Sequence, residues 1–157
     1  GRNLITLTDA EVTAPFMVPA GRSVTVLGAG YPSTTLLPDN ESVGMIGVEP
    51  TATLTLSNVM LHGNDAPSIV VDGGTLSASL LWFQGPSVGI SARNGAVVTV
   101  DYCIFEDGQA IDGSGITASS GSTVSITGST SSRMEASGRQ LFQGSFHTEQ
   151  LSSILPA

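Results

Sequence analysis

Three polar residues at equal spacing are the part of this sequence best placed to do chemistry. His62, Gln84 and Glu106 follow one another at a constant interval, with Asp107 adjacent to the last and Asp112 close behind. An imidazole beside carboxylates could transfer protons, and clustered carboxylates could bind Ca²⁺ weakly. A solvated polar corner after an apolar strand requires the same residue types. We prefer this second interpretation, because acids do not align with one another at this spacing.

The other acids offer no paired carboxylates for catalysis. An inverting glycoside hydrolase requires two carboxyl groups ~6.5–9.5 Å apart. Asp101 stands alone in its row, and Asp72 aligns with Asn94, a pair that is typical of turns. The chain contains no Lys, and no Arg falls beside a row of acids in the alignment. We therefore predict no catalytic residue, no metal ligand and no cofactor, and a protein that is not an enzyme.

A repeat of about 22 residues, the length of a short solenoid unit, must position these side chains. One strand-like segment occurs four times, at 53–63, 75–85, 97–107 and, after a somewhat longer step, at 123–130. A shorter pattern that ends in Gly and a strand occurs five times, at 16–24, 46–54, 69–76, 90–98 and 116–124. Thr51 replaces Gly in the second of these copies. Apolar and polar residues alternate within each copy, which is the period of a strand, so we expect coils of three short strands stacked ~4.8 Å apart.

The alternation also predicts which side chains fill the interior of the solenoid. Residues at equivalent positions of successive coils should stack as ladders in a hydrophobic bore. The predicted ladders are Val24, Leu54, Leu76, Val98, Val124; Val26, Leu56, Ala78, Val100, Ile126; Val59, Leu81, Cys103; Leu61, Phe83, Phe105; and Phe16, Ile46, Ile69, Ile90, Ile116. Cys103 stands where the neighbouring coils have Val and Leu. We interpret it as a buried apolar residue rather than a reactive thiol.

At this level of detail the repeat resembles a known superfamily. The segment VPAGRSVTVLGAG (18–30) resembles the early coil of the right-handed parallel β-helix of the pectin-lyase-like superfamily. The segment 103–126 resembles the repeats of polymorphic outer-membrane and autotransporter-type proteins, with Phe105 and Gln109-Ala110-Ile111 in the place of a Phe and a Gly-Gly-Ala-Ile-like turn, but without the paired Gly. The resemblance covers about residues 16–130. It implies the fold and not one function, since this fold hosts enzymes, adhesins and structural rods.

We therefore predict an all-β protein, a single-stranded right-handed parallel β-helix of about six coils with roughly 22 residues each. One domain spans residues 1–157, with core coils over 16–126 and an irregular last coil or C-terminal extension over 127–157. No capping helix is visible at either end. This favours a fragment of a longer chain, or a subunit whose ends are closed by partners.

One outward-facing row is unusually apolar. It consists of Met60, Trp82 and Ile104 on successive coils, with Leu80 and Tyr102 close by at a bend. An exposed apolar row of this kind usually marks an interface or a covered surface. Either a partner protein covers it, or the chain's own segment 141–146 lies over it.

Composition excludes some classes of partner. The net charge is −8 and all five basic residues are Arg, so the basic surface that a nucleic-acid-binding protein needs is absent. No run of ~18 apolar residues exists that could span a membrane. The triplet Asn40-Glu41-Ser42 matches the acceptor sequence for glycosylation.

These features favour an acidic, non-catalytic structural or recognition module of an extracellular or cell-surface assembly, with protein partners. The first alternative is a carbohydrate-active β-helix, either a polysaccharide lyase or hydrolase or a glycan binder. Outward rows that contain Thr53, Thr75 and Thr123 suggest ice binding. This is a weaker alternative, because Ser and Val interrupt the rows of Thr.

Overall fold

The computed structural model shows an all-β protein whose strands pair in parallel from one turn to the next. It describes residues 2–8, 10–14, 16–30, 34–38, 46–63, 66–84, 88–106, 109–110, 115–119, 121–132, 135–136, 142–143 and 146–153. These residues contain no helix. The fold is a parallel β-solenoid, as the repeat predicted. Its right-handed coiling stays a prediction, in line with the general preference for right-handed connections between parallel strands.

Two stacked sheets form the walls of the solenoid. The strands are β1 (Arg2–Thr6), β2 (Ala10–Ala14), β3 (Phe16–Val18), β4 (Ser23–Leu27), β5 (Thr34–Pro38), β6 (Ile46–Val48), β7 (Thr53–His62), β8 (Ile69–Asp72), β9 (Thr75–Gln84), β10 (Ile90–Arg93), β11 (Val97–Asp101), β12 (Ile104–Glu106), β13 (Gln109–Ala110), β14 (Ile116–Ala118), β15 (Thr123–Ser132), β16 (Glu135–Ala136), β17 (Phe142–Gln143) and β18 (Phe146–Ser153). Sheet 1 has ten strands, of which β1, β4, β7, β9, β11, β15 and β12 follow one another in that order, with β2, β5 and β18 paired beside them. Sheet 2 contains β3, β6, β8, β10, β14 and β17 in that order, and β13 pairs with β16 in a separate two-stranded sheet.

The regular part of the solenoid comprises about four turns, so our expectation of about six coils was too high. The repeat step predicted from the sequence holds from Thr53 to Thr75 and from Thr75 to Val97, which are paired neighbours in sheet 1. The next step on either side of this centre is longer, because Ser23 pairs with Thr53 and Val97 pairs with Thr123. The chain therefore uses more residues per turn than a uniform repeat would need. Pairing continues at both ends, in continuous register between β1 and β4 and with register shifts between β15 and β18.

The interior ladders are confirmed in register and in burial. Leu54, Leu76, Val98 and Val124 are direct partners in sheet 1, and all four are buried. Only Val24 and Phe16, near the N-terminal end of the bore, are partly exposed among the predicted interior residues. Because paired residues lie directly above one another, apolar side chains of successive rungs stack in contact. Burial of one such residue on every rung therefore forms a continuous hydrophobic core.

A pair of aromatic rings marks one interior corner. The rings of Phe83 and Phe105 are stacked with centroids 4.8 Å apart and an interplanar angle of 2°. Both side chains are buried. The predicted stacking of these two residues is thus confirmed. Gly89, directly before β10, leaves room for the ring of Phe105, because an ideal Cβ there would lie 3.0 Å from Cε1 of Phe105 and 2.9 Å from the carbonyl oxygen of Gly115.

The turns before the sheet 1 strands use a left-handed backbone. Gly21, Gly73, Gly95 and Gly121 have positive φ at these turns, and the corresponding residue of the remaining turn is Thr51, with φ 66°. A β-branched residue in this region is strained by roughly 1–2 kcal/mol, whereas Gly is not. The Oγ1 atom of Thr51 accepts a hydrogen bond from the backbone N–H of Gly21, at 3.0 Å. This one bond offsets only part of the strain, because both residues are exposed.

We expect Thr51→Asn to raise the free energy of unfolding by about 1 kcal/mol, because Asn adopts positive φ more readily than Thr. The matched control is Thr75→Asn, which makes the same change at an exposed position in an extended strand and should give no gain. Urea denaturation of the three proteins measures the difference. A Thr51→Asn protein no more stable than the parent chain would show that the turn is not strained.

Candidate interaction surface

The outward apolar residues lie side by side on successive rungs. Met60 pairs with Trp82 and Trp82 pairs with Ile104 in the strand register. Their neighbours in sequence, Val59, Leu61, Leu81, Phe83, Cys103 and Phe105, are all buried in the bore. The alternation therefore turns the three side chains to the outer face, where each is half-buried. Thr35 and Thr130 continue the row on either side.

A column of left-handed residues runs beside this row. Asn58, Leu80, Tyr102 and Gly128 have φ values of 59°, 52°, 53° and 59° at the bend where sheet 1 turns a corner. Leu80 is 43% exposed and Tyr102 is 58% exposed. The ring of Tyr102 lies over Gly128, since a Cβ added to that glycine would overlap the ring. We call Met60, Leu80, Trp82, Tyr102 and Ile104 the apolar strip.

The C-terminal segment does not cover the apolar strip where the structure describes it. Phe142 pairs with Ile116 in sheet 2, and Phe146 pairs with Val124 in sheet 1. Strands β17 and β18 thus pair with β14 and β15 as the next rung of the stack, with register shifts between β15 and β18. The sequence had left open whether segment 141–146 folds over the apolar row, and the register of these strands excludes that arrangement for Phe142, Gln143 and Phe146.

The polar corner is formed, but its acids are only partly described. His62 pairs with Gln84, and Gln84 with Glu106, so the predicted row exists. His62 is exposed and the other two are half-buried. Asp107 and Asp112 lie outside the described residues, as does the glycosylation candidate Asn40. In the part of the chain that the structure describes, no group of three or more His, Cys, Asp or Glu residues could hold a metal ion.

The structure brings together one Arg and one acid that the sequence alignment had not matched. Arg93 is the register partner of Asp72, and Nη2 of Arg93 lies 3.5 Å from Oδ2 of Asp72. The Nδ2 of Asn94 also donates to Oδ1 of Asp72, at 2.6 Å. The alignment had matched Asp72 with Asn94 alone. The turn at Asn94 and Gly95 is one residue longer than that at Gly73 and Gly74, so the register before the turn differs by one residue from that after it.

Cys103 lies in the bore, as its position in the repeat predicted. Burial raises the pKa of the thiol to about 12. Its backbone N–H donates to Oγ of Ser129, at 3.1 Å, and Sγ lies 3.6 Å from the carbonyl oxygen of Asp101. A thiol that stays protonated and buried is a poor nucleophile, so this side chain acts in packing.

Our sequence reasoning found no nucleophile-elbow motif to support a catalytic Ser, and it overlooked Gly85-Pro86-Ser87-Val88-Gly89. This segment has the Gly-x-Ser-x-Gly spacing of a nucleophile elbow. That motif exposes its Ser on a turn between a strand and a helix. Here the motif is followed by strand β10, and Ser87 itself lies outside the described residues. The structural context that would support a nucleophile is therefore missing after Gly89.

Comparisons with known proteins give no indication of the function of this chain. No family model matches the chain, and no curated protein or solved structure matches it either. Among the described residues, no helix is long and apolar enough to cross a membrane.

Proposed function

We propose that this chain is a non-catalytic recognition module of a larger extracellular or cell-surface assembly, and that it binds a partner protein through the apolar strip. Kinship with the pectin-lyase-like superfamily is part of this proposal. The observation that carries the proposal is the conformation of Leu80 and Tyr102. Both are large residues held at positive φ with exposed side chains.

The backbone does not require these two residue types at the bend. Asn58 and Gly128 occupy the same column, and both Asn and Gly adopt positive φ readily. Leu or Tyr at such a position costs roughly 1–2 kcal/mol more. The core gains little in return, because each of the two residues is more than two fifths exposed. Strain of this kind is concentrated at functional sites, and a contiguous exposed apolar patch is typical of an interface.

The charges around the strip indicate the partner's chemistry. Asp101 precedes Tyr102, and Glu106 is the next outward residue after Ile104. The chain as a whole has a net charge of −8. An apolar centre with an acidic rim is complementary to a protein surface with an apolar centre and a basic rim. Anionic partners such as nucleic acid are disfavoured by the same charge.

The test combines stability with binding. Leu80→Asn and Tyr102→Asn relieve the strain and remove apolar surface, so each should stabilise the isolated chain by about 1 kcal/mol. The same two variants, and Trp82→Ser, should weaken association with the native assembly by roughly 30-fold or more, about 2 kcal/mol. Denaturant melts and competition with the wild-type chain for the assembly measure the two effects.

Val97→Ser is the matched control, because Val97 is an apolar residue of sheet 1 that is 49% exposed but lies outside the strip. It should leave association unchanged. If the strip variants compete as well as the wild-type chain, the apolar strip is not the recognition surface.

A glycan-binding β-helix is the second candidate. It is favoured by one observation, the presence of Trp82 and Tyr102 on adjacent rungs of the same face. Their amphipathic rings could contact sugar rings. This candidate would be favoured over the first if the chain binds soluble oligosaccharides, if Trp82→Ser abolishes that binding, and if the same variant still associates normally with protein partners.

A further inference from the structure

A concave site lies on the outer face of sheet 2, away from the apolar strip. It is a groove of about 640 Å³. Its apolar floor and walls include the outward residues Met17, Gly47 and Val70, and its edge includes Glu49, Asp72 and Arg93. We call it the outer groove. A groove of this size, with an apolar floor and a few polar groups at one edge, is of the kind that binds small molecules.

Gly47 forms the floor of the groove and is not needed there by the backbone. It lies in the middle of β6, and its register with Met17 and Val70 shows no bulge. It is not among the residues with positive φ. A Gly inside a regular strand is unfavourable, and it often marks a place where a ligand approaches the backbone.

Met17 is an adjustable wall of the same groove. An ideal Cβ on Gly47 would meet Sδ and Cε of Met17, so the thioether lies across the glycine. Met17 is nevertheless 57% exposed. The end of an unbranched, flexible side chain can shift to admit another apolar group. The floor is therefore apolar and can change its shape.

A row of charges borders the floor at the ends of the strands. Val48 and Val71 are register partners, and Glu49 and Asp72 are the residues that follow them. Asp72 is in turn the register partner of Arg93. Oε2 of Glu49 accepts a hydrogen bond from the N–H of Ala20, at 2.9 Å, which fixes this carboxylate at the edge. Two carboxylates and one guanidinium leave one negative charge in excess. The ion pair of Arg93 with Asp72 is partly exposed, with 52% of the Arg93 side chain and 34% of the Asp72 side chain accessible, and an ion pair of this kind competes only weakly with an added cation.

We propose that the outer groove binds a small amphiphile with a short aliphatic body and one ammonium group. The aliphatic body lies on Met17, Gly47 and Val70. The ammonium group lies at the edge, between the carboxylates of Glu49 and Asp72, where charge-assisted hydrogen bonds form. The excess negative charge selects amines over carboxylates of the same length.

Hexylammonium and hexanoate test this selection, because they share the aliphatic body and differ in charge. Titration of the ¹⁵N-labelled chain with each probe, followed by amide shifts, measures affinity and location together. Hexylammonium should shift the amides of β6 and β8, and hexanoate should bind at least about tenfold more weakly, a difference of about 1.4 kcal/mol. Equal binding of the two probes, or hexylammonium shifts confined to sheet 1, would overturn the proposal.

Two variants locate the ligand within the groove. Gly47→Val fills the floor at a position with ordinary strand geometry, where only the end of Met17 must move, so the chain should fold and lose binding about tenfold. Glu49→Gln should weaken hexylammonium and not hexanoate. Glu106→Gln makes the same change in sheet 1 and should have no effect. The proposed site is contradicted if Gly47→Val binds hexylammonium with full affinity, or if Glu49→Gln and Glu106→Gln lose equal affinity for it. Either result would leave the proposal for the apolar strip standing, because the strip lies on the other sheet.

Discussion

Phe83→Ala is expected to lower the free energy of unfolding by about 3–5 kcal/mol, the usual range for removal of a buried Phe. The side chain is 4% exposed and its ring is stacked on Phe105 at 4.8 Å. Truncation removes the stacked contact and leaves a cavity that the neighbouring rungs cannot close, because their backbones are fixed by pairing on both sides. Chemical denaturation monitored by far-ultraviolet circular dichroism measures the loss.

The appropriate comparison for Phe83→Ala is Phe83→Leu, which keeps most of the buried volume and should cost about 1 kcal/mol. Val97→Ala, at a side chain that is 49% exposed, should cost less than about 0.5 kcal/mol. A loss below about 1 kcal/mol in Phe83→Ala would mean that the ring faces out and that the strand register is displaced by one residue.

The second large effect is expected at Gly28, which directly follows β4 and is buried. Its N–H donates to the carbonyl of Ser57 at 2.8 Å. A Cβ on this residue would overlap the carbonyl oxygen of Asn58 and Cγ1 of Val59. Neither atom can move aside, since one belongs to the backbone of β7 and the other to the packed core. Gly28→Ala should therefore cost about 3 kcal/mol, at the upper end of the range for overpacking.

Gly95→Ala separates this clash from the general effect of replacing a glycine. Gly95 has φ 76°, and nothing lies within 4 Å of an ideal Cβ there. That substitution should cost only about 1 kcal/mol, from backbone strain. Thermal and denaturant melts of both variants provide the comparison. If Gly28→Ala is no less stable than Gly95→Ala, the close approach of β4 to β7 is absent in solution.

Much of the candidate surface was accessible from the sequence, because strand alternation has a period of two. Once Leu81 and Phe83 are assigned to the bore, Trp82 must face outward, and the constant repeat step aligns it with Met60 and Ile104. The unusual backbone at Leu80 and Tyr102 could not be predicted in this way. Neither Leu nor Tyr favours positive φ, so the local sequence does not predict this conformation. The backbone takes it only because sheet 1 turns a corner at these residues.

The outer groove shows the opposite situation. Its residues Gly47, Glu49, Asp72 and Arg93 occupy positions of the shorter repeat whose residue type varies from copy to copy, and the alignment matched Asp72 with Asn94 and not with Arg93. Because of the turn at Asn94 and Gly95, the step from Asp72 to Arg93 is one residue shorter than the step from Thr75 to Val97. A one-residue change in a turn is easily absorbed by an alignment of apolar residues, but it decides which charges meet.

The amino-acid sequence alone determined the class of fold and the membership of the core, because period-two alternation and a constant repeat leave few ways to bury the apolar residues. It could not determine the number of regular turns, since the length of each step depends on how the intervening chain packs. It also could not determine where Arg93 meets Asp72, or that Met17 lies across Gly47. Those contacts join residues that are a full turn of the solenoid apart in the sequence, so they exist only after the rungs have stacked.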